Sequence, residues 1–232
     1  MTGRKNSAVV KKSQGNGLRP HKTFFLFLLS ALLLFSCLTP PAPATPRVVS
    51  VYSTSAAEPW LPPLYDCAGT STVISRVDDS SSADIMLRVG EPEFLILPAY
   101  EIDEEEIWAV THRESPIRTM NLEEVQALFA GQGDPSIQVW VYASGEDVQD
   151  VFDQFVMKGR SVVSSAHVAT SPQQMLEVLD SERQAIGILP LTWSMKMTGS
   201  TGVYHVATVP ILALTNSEPQ GVIKELIACL QT

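Results

Sequence analysis

The chain has 232 residues, 45% of them hydrophobic, with 16 Lys and Arg against 25 Asp and Glu for a formal charge of −9. Six of the basic residues and none of the acids precede residue 37, so residues 37–232 carry ten Lys and Arg against all 25 acids, a balance of −15. A body this acidic argues against nucleic acid and anionic lipid as partners and works against long-range attraction of an anion, although a local site can still hold one.

Arg4, Lys5, Lys11, Lys12, Arg19 and Lys22 precede an apolar run from Phe24 to Phe35 that only Ser30 interrupts. A basic segment before an apolar core of roughly 7–15 residues is the pattern of an export signal. The run falls short of the roughly 20 apolar residues that a spanning helix needs. Leu34-Phe35-Ser36-Cys37 resembles a bacterial lipobox, which makes residues 1–36 a lipoprotein signal peptide and Cys37 the lipidated residue. The alternative is an uncleaved signal anchor with an incidental Cys. A lipid on Cys37 would tether the domain to a membrane without spanning it, with residues 37–46, rich in Pro, Thr and Ala, as a stiff linker.

Arg47 to Ser53 alternates and is rich in Val, so it reads as the first strand. Ser53, Thr54 and Ser55 follow it just before a short helix with Pro62 and Pro63 near its start. Small hydroxyl residues there read as helix-cap chemistry and equally as donors for a bound ligand. Thr72–Val77 and Ala83–Arg88 read as strands around a polar loop. Arg88 has the planar fork that suits a carboxylate or another oxyanion, or it pairs on the surface with Glu91 or Glu93. Phe94–Tyr100 and Ile107–Thr111 read as two paired strands, with the acids from Glu101 to Glu106 as a solvated turn between them.

Asn121 to Ala130 has helical spacing and ends at Gly131; Ile137–Tyr142 reads as a buried strand. The turn Ala143-Ser144-Gly145 leads into a helix carrying Val148, Val151, Phe152, Phe155 and Val156 on its apolar side. A helix from Pro172 to Leu179 and a strand from Ala185 to Pro190 follow, then Thr192 and Trp193, where packing is favoured over ligand stacking. Tyr204–Thr208 and Ile211–Thr215 read as strands. Pro219 opens a terminal amphipathic helix bearing Val222, Ile223, Leu226, Ile227 and Leu230.

Four stretches carry a resemblance: Leu122 to Gly131, Ser144-Gly145, Val151 to Val156, and Ala185-Ile186-Gly187-Ile188. Together they resemble the type 2 periplasmic-binding-protein fold, in its branch of phosphate-type substrate-binding proteins of ABC importers. Ala83-Asp84-Ile85 and the text around Leu212–Gly221 extend the likeness over residues 47–232. The resemblance implies an α/β, two-lobed fold of mixed sheets flanked by helices. Lobe 1 with the hinge strands would span 47–114, lobe 2 115–195, and a return to lobe 1 with the last helix 196–232. It implies ligand contacts at Ser144 and Gly145, at Ser53, Thr54 and Ser55, and at Arg88. Because the chain's end returns to the first lobe in this fold, Cys67 and Cys229 form a candidate disulfide. Otherwise they are two small apolar residues on separate helix faces.

The sequence departs from the phosphate-type pattern where it matters for the ligand. Tyr142 and Ala143 stand where a basic residue would help, and Glu146-Asp147 follow Gly145 where Thr is expected. Two acids in a first helical turn read as self-capping. They would repel an oxyanion, and they would suit an amine better. No Cys/His spacing reads as a metal or cofactor site, and no nucleophile–base pair points to an enzyme. The sequence thus indicates an extracytoplasmic solute-binding lipoprotein of an ABC importer. It would close on a small solute, which the resemblance implies to be anionic and phosphate-like, and pass it to an ABC permease or a membrane sensor. The alternative is a degenerate binding-protein fold that serves as a surface adaptor or sensor without a transported ligand, which a filled cleft and an exposed apolar patch would favour.

Overall fold

A computed structural model describes residues 46–196 and 200–232. The signal segment, Cys37 and residues 38–45 of the linker lie outside the described residues. Pro46–Thr232 forms one compact unit.

Strand β1 (Arg47–Ser53) buries Val49 and Val51 and turns its other residues outward. It feeds a 3₁₀ turn (Glu58–Trp60) and helix α1 (Leu61–Ala68), in which early prolines fall where no intrahelical N–H is lost. Strands β2 (Thr72–Arg76) and β3 (Ile85–Val89) then pair parallel on either side of β1. After the long β4 (Ala99–His112) comes α2 (Leu122–Phe129), started by a capping box between Asn121 and Glu124. Next are β5 (Gln138–Tyr142), α3 (Asp147–Phe152) with a π turn (Asp153–Met157), β6 (His167–Ala169) and α4 (Pro172–Ser181). The chain closes with β7 (Ala185–Pro190), α5 (Leu191–Ser194), β8 (Ser200–Leu214) and α6 (Gly221–Leu230).

The eight strands make one sheet in the order β2-β1-β3-β8-β4-β7-β5-β6. Of β8, only the end, residues 211–214, pairs with β3, whereas of β4 only the far part, residues 107–111, pairs with β7. Between those contacts, residues 103–106 of β4 and 208–211 of β8 are the part of the sheet that joins the two lobes. A two-lobed α/β fold with two crossing strands as its waist follows directly. The core runs through both lobes, from Val49, Ile85 and Leu87 to Phe129, Phe152 and Ile188.

Three expectations fail at and beside this waist. Residues 101–106 are not a turn between two strands; they are the middle of the 14-residue β4. A bulge between Glu101 and Asp103 breaks the alternation, leaving Asp103 and Glu104 exposed while Ile102 and Glu105 stay buried. Residues 103–106 pair with 208–211 of β8, a backbone ladder that forms whatever the side chains carry. Phe94–Pro98 is not strand at all. Likewise β8 runs unbroken through Pro210, which lies opposite Glu104 and whose carbonyl accepts the Gly90 N–H at 2.8 Å.

Cys67 of α1 and Cys229 of α6 are joined in a disulfide, with Cα atoms 6.0 Å apart. It ties the terminal helix to lobe 1.

Candidate inter-lobe site

Four chain segments meet where the lobes face each other: the loop after β1, the end of β3, the turn before α3, and α5 after β7. These are strand ends and helix starts, where backbone N–H groups lack ladder or helix partners. Thr54 Oγ1 accepts the Ala57 N–H at 3.3 Å, which fixes the first loop. Its own hydrogen points across the cleft and is donated to Asp147 Oδ2 at 2.6 Å. The Val89 N–H, at the end of β3, donates to the same oxygen at 2.9 Å. Asp147 Oδ1 accepts the adjacent Val148 N–H at 3.0 Å. Asp147 is only 3% exposed. The convergent donors of lobe 1 are therefore occupied by a carboxylate that belongs to lobe 2 of the same chain.

Self-capping of α3 by Glu146-Asp147 needs correction on this point. Glu146 stands at the N-cap with no side-chain cap bond. Asp147 gives one oxygen to its neighbouring N–H and the other to lobe 1. The signal was the pair of acids following Gly145, where the resembled pattern has Thr; what sequence could not show is that Thr54 and Val89 lie opposite the second of them, Asp147.

The other candidates divide. Ser53 Oγ donates to the Thr54 carbonyl at 3.0 Å, and Ser55 stands half-buried in the same loop. Ser144 and Gly145 sit on the exposed rim of the turn, with Gly145 at φ +90°. Arg88 is held within the protein: Nε donates to the Gly90 carbonyl at 3.0 Å and Nη2 lies 4.0 Å from Asp150 Oδ2. Thr54 is thus the one candidate brought directly onto Asp147.

Further contacts close the cleft. Trp193 Nε1 donates to the Ala56 carbonyl at 3.0 Å, so this indole fastens α5 to lobe 1. Gly90, at φ +72°, lets β3's end pass so close to α3 that an added Cβ would stand 2.8 Å from Val151 Cγ2. On the waist, Glu105 Oε1 accepts the N–H groups of Glu106 at 3.0 Å and Thr192 at 3.3 Å. Its Oε2 is buried with no partner, and burial pushes the carboxyl above the usual range despite those bonds. The sequence reading missed Glu105 because it lay in an acidic run.

The site is electrostatically one-sided. Burial, then the charges of Asp147 and Asp150, hold the Glu146 carboxyl above the ordinary range. Asp150 is also raised, chiefly by burial, with Arg88 opposing, and Asp153 is raised by burial. Among the described residues no group of three or more His, Cys, Asp or Glu is placed to hold a metal ion, and no helix is long and apolar enough to cross a membrane.

This architecture is the type 2 periplasmic-binding-protein fold. A putative phosphate ABC transporter substrate-binding protein with bound phosphate from Clostridium perfringens matches it with a TM-score of 0.69 and 14% identity, over 79% of this chain and 93% of that one. An ABC-type phosphate transport receptor from Vibrio cholerae matches with a TM-score of 0.60 and 15% identity, over 79% and 93%. A variant OxyR2 regulatory domain from Vibrio vulnificus matches with a TM-score of 0.60 and 8% identity, over 82% and 99%. No protein-family model matches the sequence, and no curated protein matches it. At these identities the likeness is one of fold, which transport receptors and regulatory domains share.

Proposed function

We propose that this protein is an extracytoplasmic, lipid-anchored adaptor or sensor built on a solute-binding fold, held closed by its own Asp147 and acting through protein contact at the membrane. The carrying observation is Asp147 Oδ2, which accepts from Thr54 Oγ1 and the Val89 N–H where the cleft would present donors to a solute. Three further features support the reading. Glu146, Asp150 and Asp153 crowd the same helix start, so an added oxyanion meets repulsion. Phe94 and Ile96 stand out in solvent, one and three residues after Glu93 of the lobe junction. The Cys67–Cys229 disulfide and the Cys37 lipobox pattern fit an exported protein with a membrane tether.

A second reading, carriage of a small solute for an ABC permease, draws on the same two donors: an oxyanion that displaced Asp147 would find them ready. Thermal unfolding against phosphate, sulfate, amino acids, amines and metal ions separates the two. A solute at a hundred times its Kd adds about 2.7 kcal/mol of stability. The adaptor reading expects no shift in the wild type and a shift with phosphate or sulfate in Asp147→Ser, which frees both donors and removes a charge. A shift with one solute in the wild type would establish the carrier instead.

A further inference from the structure

We propose that the cavity at the lobe junction, with the apolar side chains beside it, docks a basic amphipathic segment of a partner protein, and does so only in the closed form. This deepens the adaptor reading and rests on it. The cavity has a volume of about 550 Å3 and is lined by Glu91, Pro92 and Glu93 from the loop after β3 and by Asp150, Asp153 and Gln154 from α3 and its π turn. One wall therefore belongs to each lobe. Phe94, next to Glu93 in the chain, is 77% exposed, and Ile96, three residues beyond Glu93, is 89% exposed; Phe155, next to Gln154, is 40% exposed. These exposed apolar side chains follow lining residues of both walls in the chain, and exposed aromatic and aliphatic groups near a cleft are the anchors that interfaces use.

Charge selects the occupant. Four carboxylates line the cavity. The nearby cation, Arg88, is already engaged by the Gly90 carbonyl and stands 4.0 Å from Asp150. A second copy of a body with a balance of −15, or an anionic membrane surface, would be repelled at this spot. A segment with Lys or Arg flanking apolar residues matches both the carboxylates and Phe94, Ile96 and Phe155.

Closure assembles the surface. Val89 lies two residues before Glu91, and Asp147 three before Asp150, so the Val89 N–H bond to Asp147 Oδ2 sets the distance between the two walls. Opening the lobes would part them. A partner bound here thereby reports that the lobes are shut.

The test is fluorescence anisotropy of a labelled amphipathic Leu/Lys peptide with the purified protein, beside the same peptide with Ser for Leu. Saturable binding of the Leu/Lys peptide is expected. It should weaken by about tenfold or more in Phe94→Ser/Ile96→Ser, in Glu93→Lys/Asp153→Lys and in Asp147→Ala. It should hold in Glu177→Lys/Glu225→Lys, which makes the same charge change at exposed sites elsewhere. Unaltered melting temperatures in the surface variants show that they fold. Absent binding, equal binding of the Ser peptide, or equal loss in the remote charge variant overturns the proposal. So does dependence on Phe94 and Ile96 seen only as adsorption to phosphatidylcholine vesicles or as dimerisation in sedimentation. A wild-type solute would sink the adaptor reading itself, whereas a failed peptide titration with no solute found sinks only this docking surface.

Discussion

Asp147→Ala should loosen the molecule at one identifiable place. The substitution removes the acceptor of the Thr54 hydroxyl and of the Val89 N–H and leaves both donors facing a void. Hydrogen bonds to a charged group contribute roughly 1.5–3 kcal/mol each. Against that, the change relieves repulsion with Glu146 and Asp150 and spares the cost of burying a charge. The balance is about 3 kcal/mol of lost stability, or roughly 6–12 °C in Tm for a unit of this size. Calorimetry reads the Tm, and small-angle scattering reads whether the lobes part before they unfold. Lobes that open let water satisfy the freed donors, so a smaller Tm loss should come with a larger radius of gyration. An alanine variant that matches the wild type in both would refute the view that Asp147 holds the lobes together.

The disulfide closes a sequence separation of 162 residues, for which loop entropy sets a ceiling of about 5 kcal/mol. Cys229→Ser should melt well below the wild type, and reductant should depress the wild type but not the variant. Glu105, Glu146, Asp150 and Asp153 all hold their carboxyls above the ordinary range when folded, each mainly through burial. The folded chain then binds more protons than the unfolded one. Their contribution is fully present below the usual carboxylate range and is lost as pH rises through the raised folded values. The Tm should therefore be higher at about pH 5 than at about pH 7.5, and Glu146→Gln should narrow the gap; a Tm that climbs with pH over that interval contradicts the assignment. Gly90→Ala should cost at least about 1–2 kcal/mol for the left-handed backbone alone, with the clash against Val151 added, as urea unfolding would show.

Much of the frame was legible in the sequence, because β1, β7 and α2 announce themselves by alternation, by an unbroken apolar run and by helical spacing that ends at Gly131. The waist was not. A bulge at Glu101/Asp103 and the mid-strand Pro210 erase the alternation in β4 and β8, and only pairing with distant strands makes them continuous. The site was half legible. The acids after Gly145 signalled that a phosphate-type pattern had changed. Their roles depend on which groups stand across the cleft, and Thr54 and Asp147 are 93 residues apart in the chain. Glu105 looked like one more exposed acid; its burial follows from the same bulge.

Amide hydrogen exchange at Val89 tests the self-closed cleft most directly, because that N–H has Asp147 Oδ2 as its acceptor and lies at the end of β3 facing the other lobe. The account predicts a strongly protected Val89 amide in the solute-free protein and a loss of that protection in Asp147→Ala, with the Leu87 and Ile85 region unchanged. Rapid exchange at Val89 in the solute-free wild type would mean that the cleft stands open and that Asp147 does not fill it.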